Sequence, residues 1–275
     1  MSVRNKPGSS LKGYSAILRG SIMEGLSFRA STFLRITGNL VYLLIIYFLW
    51  KAIFDSSPVD TVNGMNFYDT MIYLVLAAAM FNFMDTFVVY HIGEDYQTGH
   101  IVLYLAKPID YQPFLFFSGF GRCIISFFVT FLPTFLIIFF VTKGSIAIGL
   151  NLVFFVISLL LAIGVNFCID FLVGTICFYT QSIWGVNIMK EVVVSLLSGA
   201  TIPLAFFPEA FRKAVQVLPF QAIYHTPLHI LTDKTMLLSD YAASIGIQLF
   251  WLVITFGISR LFWKASVKGL TVNGG

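Results

Sequence analysis

Apolar runs of membrane-crossing length constrain this chain more than any motif in it. About 20 predominantly apolar residues cross the hydrocarbon of a bilayer as a helix, and residues 33–54, 67–91, 113–141 and 241–263 each supply such a run. Residues 146–207 are too long for one crossing and about right for two, and the polar tetrad Tyr179-Thr180-Gln181-Ser182 divides them into spans at 149–178 and 183–206. The composition agrees: 58% of the residues are hydrophobic and 11% charged, where soluble domains carry about 45–50% and about 25%, and the mean hydropathy is +0.87. The expected fold is an all-α polytopic membrane protein with six transmembrane helices. Thirty Phe and twelve Tyr suit lipid-facing and interfacial positions and imply no cofactor.

Charge sets orientation rather than partner. The net +4 is modest for 275 residues and does not point to nucleic acid. Arg4, Lys6, Lys12, Arg19 and Arg29 precede the first span, and Arg260, Lys264 and Lys268 follow the last. By the positive-inside rule both termini are expected in the cytoplasm. The first 30 residues hold no apolar core followed by small residues at a cleavage site, so no removable signal peptide is expected, and lipidation motifs are missing. Cys123, Cys168 and Cys177 stand inside apolar runs without C-x-x-C spacing and read as small packing residues.

Along the chain, residues 1–10 read as a loose polar tail. Leu11, Tyr14, Leu18, Ile22 and Leu26 then recur at three- and four-residue steps, the stripe of an amphipathic helix. On pattern alone it fits either a membrane interface or a protein partner. The first span stops at Asp55-Ser56-Ser57-Pro58, the polar loop to Asn66 is expected outside, and the second span returns the chain to the cytoplasm. The third is longer than a crossing requires, which predicts a tilt or a kink at Pro133; Thr142-Lys143-Gly144-Ser145 is a tight external turn. In the fifth run Leu197-Ser198-Gly199-Ala200 reads as small residues for helix packing. Pro203 and Pro208 break the helix. Between Pro208 and Pro219, Phe211, Ala214, Val215 and Leu218 face one way and Glu209, Arg212, Lys213 and Gln216 the other, a short amphipathic helix at the outer surface.

The stretch from Glu94 to Pro108 is a semi-polar island between apolar runs, and it reads as a docking surface. Glu94, Asp95 and Gln97 come first, Thr98-Gly99 reads as a helix start, Ile101, Val102, Leu103 and Leu105 are apolar, and Lys107-Pro108 stop the helix. Such a helix has about two turns, too short to cross a bilayer. Glu94, Gly99, Leu103, Leu105 and Pro108 resemble the acidic-to-Gly-x-x-x-Leu-x-Leu-x-x-Pro pattern that follows the second span of ABC-2 type transporter permeases. Gly199, Pro203, Phe207, Pro208, Phe211, Leu218 and Pro219 are similar to that family's second motif, the re-entrant external helices before the sixth span. The resemblance implies one permease domain over residues 1–275, with a connecting helix within 1–30, a coupling helix in the loop 92–112 and a re-entrant external segment at 207–240. It also implies a bacterial cell-membrane exporter, a second permease chain in a homodimer or heterodimer, and a separate ATP-binding-cassette ATPase that binds ATP and Mg, leaving this chain without a cofactor.

Chemistry-bearing motifs are few. The sequence contains no G-x-x-x-x-G-K-[ST], H-E-x-x-H or G-x-S-x-G, so energy for transport has to come from a partner. His225 and His229 stand four apart with Pro227 between them and no third ligand nearby, which makes a weak metal signal. Asp85, Arg122, Asp170, Lys190 and Glu191 fall inside the spans, where ionisable groups are costly and mark either internal ion pairs or a functional site. By depth, Asp85 is expected to pair with Arg122, and Asp170 with Lys190 or Glu191. Two function classes fit: a permease driven by a partner ATPase, or a polytopic membrane enzyme acting on a lipid, for which no catalytic motif speaks.

Overall fold

The computed structural model describes residues 11–27, 29–57, 61–62, 64–142, 146, 149–180 and 182–269. Its α-helices are α1 Leu11–Ser27, α2 Arg29–Asp55, α3 Phe67–Met84, α4 Val88–Gln97, α5 Ile101–Ala106, α6 Tyr111–Ser126, α7 Leu132–Val141, α8 Leu150–Thr180, α9 Trp184–Leu197, α10 Glu209–Gln216, α11 His225–Thr232 and α12 Leu238–Lys268. One small hairpin, Thr61–Val62 with Met65–Asn66, precedes α3. The Asn66 side chain caps α3 by accepting from the Asp69 N–H at 2.8 Å. Five stretches are long and apolar enough to cross a membrane: Thr37–Asp55, Phe67–Gln97, Tyr111–Val141, Leu150–Thr180 and Leu238–Lys268. The protein is an all-α, multi-pass membrane protein. The expected tail at 1–10, the turn at 143–145 and the Gln181 part of the polar break lie outside the described residues.

Helix α8 is the axis of the bundle, and its ring contacts fix the direction of its neighbours. Phe154 stacks on Tyr241 at 4.9 Å and Phe171 meets Trp263 at 5.2 Å, so α12 runs parallel to it. Tyr111–Phe171, Phe116–Phe167 and Phe131–Phe155 contacts make α6 and α7 antiparallel to it. Helices α3 and α4 run parallel, with Asn166 reaching the Met84 carbonyl and Tyr96 stacked on Phe178 at 4.8 Å. Lipid offers no hydrophobic gain for helix pairing, so close backbone approach has to supply it. Gly174 provides that approach: a Cβ there would lie 2.7 Å from Ile92 Cδ1 and 3.3 Å from Val89 Cα.

At the start of the chain, α2 and α3 form a hairpin in which both Tyr47 and Phe54 meet Phe67 at 5.7 Å. Helix α1 lies along α6, where Tyr14 stacks on Phe117 at 5.0 Å and Ser21 Oγ donates to Ser118 Oγ at 3.3 Å. The expected apolar stripe is only partly used. Leu26 is exposed, and small residues make the close contact instead, Gly25 against Ile125 and Ser21 against Gly121.

One expectation about the spans gains a detail and one is corrected. In the third span a π-helical turn, Phe127–Phe131, precedes α7 and Pro133 and carries the Leu132 N–H to the Phe127 carbonyl. The Thr130 and Thr134 hydroxyls donate to the Ser126 and Thr130 carbonyls at 2.6 and 2.7 Å, bonds made within the same span. The fifth run does not continue as helix to residue 206. Helix α9 has 14 residues, about 21 Å, and stops at Leu197 because Gly199 takes a left-handed φ of +80°. That glycine ends the helix as well as packing closely, as expected of a small residue there. Helix α9 climbs antiparallel to α3 and α4, with Ile183 against Gly93 at its start and Gly199 against the Tyr73 hydroxyl past its end.

Between α9 and α12 the chain makes a 3-10 turn at Leu204–Phe206, then α10, a second 3-10 turn at Pro219–Ala222, and α11. Gln248 Nε2 donates to the carbonyls of Ala222 at 2.8 Å and Ser158 at 3.2 Å. Counted from the first residues of α8 and α12, this places Ala222 about 12–15 Å down the bundle.

Candidate functional site

The second span is broken. Asp85, Thr86 and Phe87 are non-helical between α3 and α4, and Phe87 has φ 54°, a left-handed conformation that costs a bulky residue roughly 1–3 kcal/mol. Asp85 Oδ1 accepts the Phe87 N–H at 3.3 Å. The break releases backbone carbonyls inside an apolar bundle, where each unsatisfied group costs several kcal/mol. Neighbouring helices satisfy them: Asn166 Nδ2 of α8 donates to the Met84 carbonyl at 3.4 Å, and Arg122 Nη2 of α6 donates to the Thr86 carbonyl at 3.0 Å. The expected Asp85–Arg122 ion pair is therefore absent among the described residues. The carbonyl turned toward α6 by the break takes the guanidinium instead.

The remaining span charges gather beside this break. Lys190 Nζ of α9 donates to Asp170 Oδ1 of α8 at 2.9 Å and to Glu191 Oε1, with side-chain exposures of only 9% for Lys190 and 4% for Asp170. Asn166 Nδ2 also reaches Asp170 Oδ2 at 3.4 Å. Asp85, Asn166, Asp170, Lys190 and Glu191, with Tyr224 from the segment before α11, line a cavity with room for about one water molecule. The depth argument from sequence brings Asp170, Lys190 and Glu191 together. It misses Asn166 and Tyr224; Asn166, a polar residue one turn before Asp170 in an apolar run, carried a signal, and Tyr224 carried none.

On the far side of α4 the chain forms an elbow. Thr98 and Gly99 end α4 rather than starting the next helix: the Thr98 hydroxyl and N–H both bond to the Glu94 carbonyl, and Gly99 has φ +76°. Helix α5 then has two faces. Ile101 is buried in one cluster with Ile92, Tyr111 and Leu115, and Tyr104 and Leu105 are packed against that cluster. Val102 and Leu103 are 41% and 60% exposed. Leu105 thus belongs to the bundle, not to the outer face expected for it alongside Leu103. Glu94 is exposed, while Asp95 accepts from the Tyr111 hydroxyl at 2.6 Å. Pro108 is exposed past the end of α5, and Asp110 pairs with Arg260, which ties the elbow to α12.

At the opposite end, Pro203 and Pro208 precede the 3-10 turn and α10, Pro219 opens the second 3-10 turn, and Phe207 meets Phe211 edge-on at 5.1 Å. The expected apolar face of α10 narrows to Val215, which is buried, because Phe211 and Ala214 are exposed. Pro227 does not prevent a helix; it sits in the first turn of α11, where no intrahelical N–H is needed. His225 and His229 therefore share a face, with ring centroids 5.4 Å apart, and His229 Nε2 lies 3.4 Å from Asp233 Oδ2. Burial, then the neighbouring His229, pushes His225 down to about 3. Partial burial works against ionised Asp233, but the hydroxyl and N–H of Thr235, bonded to its Oδ1, hold it below the usual carboxylate value. Among the described residues no group of three His, Cys, Asp or Glu is placed to hold a metal.

Among curated proteins no sequence matches this chain. The family described as ABC-2 family transporter protein matches residues 40–274, a region that includes the broken span, the elbow and the segment from α9 to α12. On that match, over most of its length, the chain belongs to the ABC-2 transporter family.

Proposed function

We propose that this chain is the membrane-embedded permease of an ATP-driven exporter, moved by a separate ATP-binding-cassette ATPase that seats on α5 and holds the ATP and Mg. The observation that carries the reading is the two-faced α5, with Val102 and Leu103 presented outward while Ile101, Tyr104 and Leu105 fix the helix to the bundle. A push on α5 passes to α4, which packs on α8 through Gly174 and ends at the break. Helix α4 is then a lever and Asp85–Phe87 its hinge, since hinges are short non-helical segments that absorb backbone rotation.

Six crossings with both termini in the cytoplasm follow from the same reading. Helices α8 and α12 are parallel, so the chain between them has to return across the bilayer, and α9 with the turns after it, climbing beside α3 and α4, supports that return. The depth of Ala222 supports a re-entrant segment from the outer side. Helix α1 would serve as the connecting helix at the inner interface, and a second permease chain would complete the pathway. Cysteines placed at Gln97 and Gln216 are expected to react with an impermeant reagent from opposite sides of the membrane; labelling from one side would remove the sixth crossing. The coupling reading is tested by Val102→Asp with Leu103→Asp. The expected result is a correctly inserted protein that no longer retains its ATPase or transports, whereas wild-type binding and export would place the docking surface elsewhere.

A further inference from the structure

We infer that the cavity beside the break is a proton-binding site, with Asp85 as the group that takes the proton, and that His229, His225, Ser198, Tyr73 and Tyr224 form the polar path that delivers it from the α10 side. This goes beyond the transport reading and does not depend on ATPase coupling.

The cavity holds three carboxylates, Asp85, Asp170 and Glu191, and one ammonium, Lys190. Lys190 is bonded to Asp170 and Glu191, while the hydrogen bond to Asp85 comes from the Phe87 N–H. The groups facing Asp85 are Asp170 on α8, Lys190 and Glu191 on α9, Arg122 and Cys123 on α6, and Tyr224 before α11. Arg122 spends its Nη2 on the Thr86 carbonyl. Negative charge is thus in excess inside an apolar bundle, where it is costly. With the Arg122 guanidinium counted, whose charge its bond to a neutral carbonyl does not cancel, the excess is one, and a proton on Asp85 removes it without disturbing the Lys190 bonds: a hydronium gives up its proton, one O–H bond forms on the carboxylate, and water leaves.

A second set of observations points to the route. Tyr224 is 3% exposed, lines the cavity and makes no side-chain hydrogen bond among the described residues. Beyond it, toward α10, Tyr73 Oη, Ser198 Oγ and His225 Nδ1 are all buried without a hydrogen-bond partner. They are neighbours: the His225 N–H donates to the Ser198 carbonyl at 3.1 Å, and a Cβ at Gly199 would lie 2.9 Å from Tyr73 Oη. Buried polar groups are ordinarily paired, and three orphans in one place make a polar seam through an otherwise apolar bundle. His229, with its side chain 46% exposed, joins that seam to the surface. A neutral His225 passes a proton by accepting at one ring nitrogen and releasing from the other.

The test uses the full chain reconstituted in lipid vesicles with the α10 side outward, followed by infrared difference spectroscopy after an acid step outside. A protonated-carboxyl band is expected to appear, to be lost in Asp85→Asn, and to be strongly delayed in His225→Phe. His225→Gln, which keeps a polar group at the site, is the second variant should Phe prevent folding, and it is expected to show the same delay. No band in the wild type, or a band that survives Asp85→Asn, overturns the site. Wild-type timing in the folded His225 variant overturns the path.

Discussion

The second and third spans are both interrupted, and in opposite ways. Beside Pro133 the bonding stays within the helix: a π turn precedes the proline, and threonine hydroxyls donate to carbonyls of the same helix. At Asp85–Phe87 the helix opens altogether, a non-glycine residue takes a left-handed φ, and the freed carbonyls are satisfied by Arg122 and Asn166 from two other helices. The first interruption needs no neighbour. The second exists only as long as α6 and α8 stay in place, so a shift of either changes it, and that dependence makes it the better candidate for a moving part.

The sharpest way to break the comparison is to remove Lys190, which holds the charges beside the open break. Lys190→Met leaves Asp170 buried and uncompensated, a loss of about 3–5 kcal/mol for a desolvated pair. Thermal unfolding of the purified protein is expected to show it, and adding Asp170→Asn is expected to recover part of it. A silent single variant would mean that the cluster does not brace the break.

A smaller effect separates the two ways the break could be held. Arg122→Gln shortens the donor and leaves the Thr86 carbonyl without its bond, a cost of about 1–3 kcal/mol. An ion pair with Asp85 would make the double variant Asp85→Asn, Arg122→Gln milder than Arg122→Gln alone. The geometry predicts no such rescue, with the double variant at least as unstable in the same unfolding measurement.

Much of the scaffold was legible in the sequence because hydrocarbon imposes length and composition together: the run at 113–141 lies within Tyr111–Val141, and the run at 149–178 lies within Leu150–Thr180 but for its first residue. The break at Asp85 was not, since nothing in Met84-Asp85-Thr86-Phe87 lacks a donor or forces a positive φ; partners more than 30 residues away decide it. Gly199 serves two roles, close packing against Tyr73 and the end of α9, and only the backbone angle reveals the second. Charges could be sorted by depth along their spans but not by the direction a side chain takes around a helix, which is why Asp170 and Lys190 are bonded while Asp85 and Arg122, though close, are not. In α5, likewise, a six-residue helix with apolar residues nearly all round does not reveal which of Leu103 and Leu105 faces the bundle.

The smallest effect is expected at the other interruption. A proline in a plain helix interior costs about 3 kcal/mol relative to alanine, so Pro133→Ala would be strongly stabilising if α6 and α7 formed an ordinary helix bent by force. The π turn changes that expectation. Pro133 stands at the start of α7, the Leu132 N–H already reaches the Phe127 carbonyl, and Thr130 and Thr134 supply further donors to nearby carbonyls. What the substitution restores in backbone bonding is partly offset by the greater freedom of alanine in the unfolded chain, worth about 0.4–1 kcal/mol. The net change is expected to stay within about 1 kcal/mol, read as a small shift in unfolding temperature with transport unaltered. A gain near the full helix-interior value would show that the third span is strained by its proline, and the contrast between a self-repaired interruption and one held by its neighbours would fail.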